Sequence, residues 1–90
     1  MRYVSISQIA IMYNLIMELA ERIKKLRVEN DFSQQKVATY LNVKQNTYSQ
    51  YETAQRQIPL DLLKKLALLY DVSCDYILGL TDIEFPYPKK

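Results

Sequence analysis

Ninety residues hold one compact domain, because a chain this short buries only about 60% of its unfolded surface and cannot divide that core. Apolar residues make up 49% and charged residues 24%, the balance of an ordinary globular chain, while one Gly and three Pro are too few for the turns of an all-β fold. A lone Cys74, no His and a formal charge of +2 exclude an internal disulfide, a zinc set and a Ser-His-Asp relay, and leave a nucleic-acid partner undecided.

The first stretch, Val4 to Leu19, is rich in Ile, Leu and Met but is interrupted by Ser5, Ser7, Gln8, Asn14 and Glu18. It is too polar to span a bilayer and a poor signal peptide, so the expected compartment is the reducing cytoplasm. A first helix is expected from Met17 to Asn30, with Leu19, Ile23 and Leu26 on its apolar face and Glu18, Glu21, Arg22, Lys24 and Lys25 outside. Asn30-Asp31 closes it and Phe32 anchors the connection. Ser33 then caps a second helix over Gln34 to Leu41 that buries Val37, Ala38 and Leu41.

Asn42-Val43 makes a short connection in which Asn tolerates the left-handed backbone of a tight helix exit. A third helix follows from about Lys44 or Gln45 to Thr53, with Tyr48 and Tyr51 inward and Gln45, Asn46, Ser49 and Gln50 outward. After the polar loop Ala54 to Ile58, Pro59 opens a fourth helix through Leu60, Leu63, Leu66, Ala67 and Tyr70. Ser73 caps a short fifth helix that ends near Gly79, and Leu80 to Lys90 reads as an extended tail, with Tyr87 between Pro86 and Pro88. The expected organisation is an N-terminal extension over 1–16, a domain over 17–80 and a flexible tail over 81–90.

Ser33-Gln34, Val37-Ala38, Leu41, Val43, Tyr51-Glu52, Arg56, Leu66-Ala67, Val72-Ser73 and Tyr76 fall in one uninterrupted pattern. By that pattern the segment Ser33 to Gly79, extended back to about Leu19, resembles the lambda repressor and Cro-like helix-turn-helix proteins, the XRE family. The resemblance implies an all-α bundle of five helices whose helix-turn-helix is formed by the second and third, the third lying in the major groove of double-stranded DNA. It implies base reading by Gln34, Gln45, Asn46, Ser49 and Gln50, with Gln34 packed beside Gln45. Carboxamides offer the donor and acceptor that match adenine's edge, so sites rich in A·T are expected. Phosphates would be met by Lys44, Thr53, Gln55, Arg56 and Gln57. Arg27 and Glu52 would form a structural ion pair inside the domain.

Two departures from the pattern stand out. Lys44 occupies a position where Ser or Thr usually caps the third helix, which implies about 1 kcal/mol of lost capping and use as a phosphate contact instead. Ala54 stands where Gly is common, so a different path for the loop after that helix is expected. Residues 1–16 leave three readings open: an extension of the first helix that adds dimer surface, a leader, or a start-site artefact with Met12 or Met17 as the true beginning. The latter two are preferred because the pattern is complete without these residues.

The functional expectation is a transcriptional regulator, a repressor, that binds a palindromic operator as a homodimer through Tyr76, Ile77 and Leu80. No catalysis, cofactor or metal is expected, for want of a nucleophile and base at workable spacing. The competing expectation is an antitoxin-like or antagonist module that pairs with another protein. Between Ser33 and Gln57 only Lys36, Lys44 and Arg56 oppose Glu52, so such a module would bind DNA weakly or not at all.

Overall fold

The computed structural model describes residues 5–85, and Tyr87 with its flanking prolines lies outside them. Five helices make up the fold among the described residues: α1 Ile6–Glu29, α2 Gln34–Leu41, α3 Gln45–Glu52, α4 Leu60–Tyr70 and α5 Cys74–Ile77. The all-α, five-helix expectation holds.

The first helix departs most from its expected bounds, starting at Ile6 rather than Met17. Its start is a capping box: the Ser5 hydroxyl accepts from the Gln8 amide at 3.1 Å, and the Gln8 side chain accepts from the Ser5 amide at 3.0 Å. Two otherwise orphaned N–H groups are satisfied there, so helix formation begins upstream of the family pattern. The S-x-x-Q spelling of this cap is legible at Ser5–Gln8.

The remaining caps follow from local chemistry. Ser33 and Ser73 accept from the amides of Lys36 and Tyr76 at 3.0 Å each. Asn42 exits α2 in the left-handed conformation, φ 59°, which lets the Val43 amide reach the Ala38 carbonyl at 3.0 Å and turns the chain into α3. Lys44 makes no side-chain cap, as expected. Ala54 adopts φ 62°, so the loop takes the left-handed turn after all. The turn accepts Ala at the steric cost of a Cβ in that region, about 1 kcal/mol.

The core gathers Ile23 and Leu26 from α1, Val37, Ala38 and Leu41 from α2, Tyr48 and Tyr51 from α3, Leu63 and Leu66 from α4, and Tyr76 and Ile77 from α5. Full burial of such side chains stabilises the fold by roughly 1.5–3 kcal/mol each relative to exposure. Tyr76 and Ile77 are 3% and 0% exposed within the protomer. They were expected to form the dimer surface in order to be buried, but their own core already buries them.

The chain after α5 is tied down rather than free as far as it is described. The Arg22 guanidinium donates to the carbonyls of Tyr76 at 2.9 Å and Thr81 at 3.3 Å and to the Asp82 carboxylate at 3.1 Å. It lies over the Tyr76 ring, 4.3 Å from its centroid. The Ser73 amide donates to the Glu84 carbonyl at 3.0 Å. Residues 81–84 of the expected tail therefore fold back on α1 and α5. Gly79 permits this closure, because its φ of 80° is a backbone conformation that residues with a Cβ rarely adopt.

Candidate nucleic-acid interface

α3 is amphipathic in an unusual sense, since its outer face carries amides and hydroxyls instead of charges. Tyr48 and Tyr51 seat it in the core at 0% and 5% exposure, their rings meeting edge to face at 6.4 Å. With those two fixed, helical spacing turns Gln45 and Asn46 fully outward and leaves Ser49 and Gln50 half-buried. The four base-reading candidates on α3 thus lie along one stretch of helix, the first two more open than the others.

Behind this face runs a continuous polar chain. Arg27 of α1 grips Glu52 of α3 with two nitrogens, Nε to Oε2 at 2.6 Å and Nη2 to Oε1 at 3.1 Å. Its third nitrogen donates to the Phe32 carbonyl at 2.9 Å. Gln34 of α2 donates from Nε2 to Glu52 Oε1 at 3.0 Å, and its Oε1 accepts from Gln45 Nε2 at 2.8 Å. One buried carboxylate therefore organises three helices, and its last link holds the first side chain of the exposed face.

The pair is buried, the Arg27 and Glu52 side chains being 14% and 2% exposed. Burial by itself would raise the Glu52 carboxyl pKa. The Arg27 hydrogen bonds, the nearby Tyr48 hydroxyl, the Gln34 amide and the Arg27 charge outweigh it and hold that carboxyl below its ordinary value. Burial and the neighbouring Glu52 carboxylate push the Tyr48 phenol far upward.

This geometry separates the roles of the two glutamines. Gln34 is half-buried, and its amide and carbonyl are engaged by Glu52 and Gln45. Gln45 spends one N–H on Gln34 and keeps its carbonyl oxygen and second N–H on the exposed side, the pair that a bidentate contact to adenine needs.

The phosphate candidates scatter more. Lys44, Thr53, Gln55 and Arg56 are exposed at the two ends of α3 and in the loop beyond it. The Thr53 hydroxyl turns back onto the Ser49 carbonyl at 3.2 Å. Gln57 lies farther round, in a groove with Leu15, Ile16, Leu19, Leu78 and Leu80. Since Glu52 is consumed by Arg27, the formal count over 33–57 understates the field: Lys36, Lys44 and Arg56 are exposed with no exposed carboxylate between Ser33 and Gln57. Arg22, expected on the outer face of the first helix, is instead only 17% exposed and turned onto the chain after α5, and the Ser5–Gln8 box is a structural feature outside the expected bounds of that helix.

Comparison with known proteins gives the fold its place. The helix-turn-helix family model matches residues 23–77, the span from the core face of α1 to the end of α5. This chain belongs to the helix-turn-helix family, of the XRE type. It is 42% identical over 69 residues to the HTH-type transcriptional regulator YobD of Bacillus subtilis, a match covering 77% of this chain and 60% of that protein. It is 39% identical over 67 residues to the regulator ImmR of the same organism, covering 74% of this chain and 53% of ImmR. It is 40% identical over 53 residues to the cryptic phage CTXphi transcriptional repressor RstR of Vibrio cholerae, covering 59% and 48%. The matched segment spans about half to three-fifths of these relatives' length. The family is one of transcriptional regulators and not of enzymes. No helix among the described residues is long and apolar enough to cross a membrane.

Proposed function

We propose that this chain is a sequence-specific double-stranded DNA-binding regulator, a repressor, that reads the major groove with α3 as a homodimer on a palindromic operator in the cytoplasm. The observation that carries the reading is the buried Arg27–Glu52–Gln34–Gln45 chain beneath an exposed amide face. A face that merely met solvent would need no such bracing, whereas base readout requires side chains held in one geometry before DNA arrives. The repressor named among the relatives supports the direction of regulation.

In this reading Gln45, Asn46, Ser49 and Gln50 meet base edges, Gln34 positions Gln45, and Lys44, Gln55 and Arg56 meet phosphates with Thr53 and Gln57 beside them. Two half-sites one helical turn apart, about 34 Å, would each receive one α3. The internal neutralisation of Glu52 favours this over the protein-pairing alternative, because it leaves the exposed cations unopposed.

Selection of bound sequences from random duplexes tests it, run with wild type and with folded Gln45→Ala and Gln50→Ala variants. Enrichment of a palindrome whose base preferences relax in the variants is the expected result. A folded wild-type protein that enriches nothing would sink the reading and direct attention to a protein partner.

A further inference from the structure

The sequence from Ser5 to Met17 contains no charged residue, and its helical turns carry a row of large apolar side chains into solvent. Ile6, Ile9, Met12, Tyr13 and Ile16 are 39–86% exposed. Their row is not independent of the core. Ile6, Ile9, Tyr13, Ile16, Ala20 and Ile23 alternate three and four residues apart, so they share one helix face, and Ala20 and Ile23 are buried. The core-facing stripe of α1 therefore runs on past the end of the protomer that buries it.

Such an overhang exposes apolar surface for about three turns, and helical propensity alone leaves a segment that short marginal in water. At its base lies an apolar groove of about 250 Å³ between Leu15, Ile16, Leu19, Leu78, Leu80 and Gln57. Resting on the homodimer of the preceding reading, we propose that this overhang is the dimerisation arm, and that a second copy of the chain covers it. The two arms pair antiparallel about a twofold axis near Met12 and Tyr13. Ile9 of each copy then faces Ile16 of the other, and Ile6 reaches Leu19 at the mouth of the groove.

Three observations select a second copy over other occupants. The stripe and the groove sit on the same α1, so one twofold operation fills both grooves with both arms, as an isologous interface requires. A face without charge meets itself without repulsion, offers nothing to a charged partner, and lacks the Lys and Arg that a membrane-surface helix carries. The stripe with Leu15 and Leu80 exposes on the order of 800 Å² per copy, the area each partner gives to a standard stable interface. The groove also includes Gln57, next to Arg56 on the loop leaving α3, so pairing there sets the separation of the two reading helices.

Sedimentation equilibrium of the full chain without DNA tests the arm. Wild type should be dimeric, and Ile9→Glu with Tyr13→Glu should weaken association by ~100-fold or more, the scale of several kcal/mol for like charges forced together. These side chains face solvent in the protomer, so circular dichroism should show the folded core retained. Leu68→Glu, a substitution of the 70% exposed leucine on α4, should leave the dimer intact. Mixing Ile9→Glu with Ile16→Lys should restore association through the facing pair. A monomeric wild type, a dimer indifferent to the arm charges, equal disruption by Leu68→Glu, or no recovery on mixing would each overturn the proposal. DNA selection separates this from the regulator reading: an arm-dependent dimer that enriches no duplex leaves the arm standing and sinks that reading, and a dimer indifferent to the arm charges that enriches a palindrome does the reverse.

Discussion

Gln45 donates from Nε2 to Gln34 Oε1 at 2.8 Å, and this one bond joins the exposed face of α3 to the buried ion pair beneath it. Because Gln34 also donates to Glu52, the orientation of a surface amide is set by a carboxylate in the core. Removing Gln34 should therefore damage recognition as well as folding. Gln34→Ala is expected to cost about 2 kcal/mol of stability, the scale of a hydrogen bond to a charged group, and to lower affinity for the selected duplex about tenfold as Gln45 loses its bracing. Melting curves and a binding titration on the same samples check this. Unchanged affinity would show that Gln45 does not depend on Gln34.

The Arg27–Glu52 pair predicts a pH dependence with a defined sign. The folded-state pKa of Glu52 lies below its ordinary 4.5, so as pH falls the unfolded chain takes up this proton first. The stability contributed by the group is complete above about 4.5 and is lost as pH drops through the lower folded value. Glu52→Gln should be less stable at pH 7 by about 3 kcal/mol, since a buried guanidinium loses its counter-charge. Its stability should also fall less between pH 5 and 3 than that of wild type. Denaturant melts across that range measure both, and parallel pH profiles would count against the assignment.

Lys44 sets stability against binding. It starts α3 without a side-chain cap, so Lys44→Thr should raise stability by about 1 kcal/mol. If Lys44 meets a phosphate, the same change should weaken binding to all duplexes alike and reduce the salt slope by about 1 per half-site. A variant that is both more stable and equally tight would remove Lys44 from the interface.

Arg22 should hold the C-terminal segment. Its side chain is 17% exposed and donates to two carbonyls as well as to Asp82. Arg22→Ala is expected to cost about 2 kcal/mol, the scale of hydrogen bonds from a charged donor, and to open residues 81–84 to limited proteolysis. Resistance to the protease equal to wild type would show that the Ser73–Glu84 bond suffices.

Much of the architecture is written locally. Ser33 and Ser73 as caps, Asn42 at a left-handed exit, and the apolar row of α2 act within one turn of their own positions, and each is found where the residues place it; in α4 the row shifts, with Leu62 buried and Leu60, expected on that face, 70% exposed. The pairing of Arg27 with Glu52 and of Gln34 with Gln45 came from the family resemblance, and the geometry contains both. The capping box at Ser5 was equally local and was missed because the family pattern begins later in the chain. Ala54 was expected to divert its loop, yet it sits left-handed, with the Gln55 and Arg56 amides closing on the Gln50 carbonyl at 3.0 and 3.2 Å.

By itself the sequence determined the helical class, the order of the helices and the amide character of the α3 face, because periodicity and capping depend on neighbours three or four residues away. Tertiary structure decided what no local pattern encodes. It consumed Tyr76 and Ile77 in the protomer's own core, drew Glu52 out of the surface charge, joined Arg22 to residues 81 and 82, and left the upstream face of α1 uncovered. An apolar stripe is the same spelling whether it ends in a core or in solvent; which it meets depends on where other helices, distant in sequence, stop.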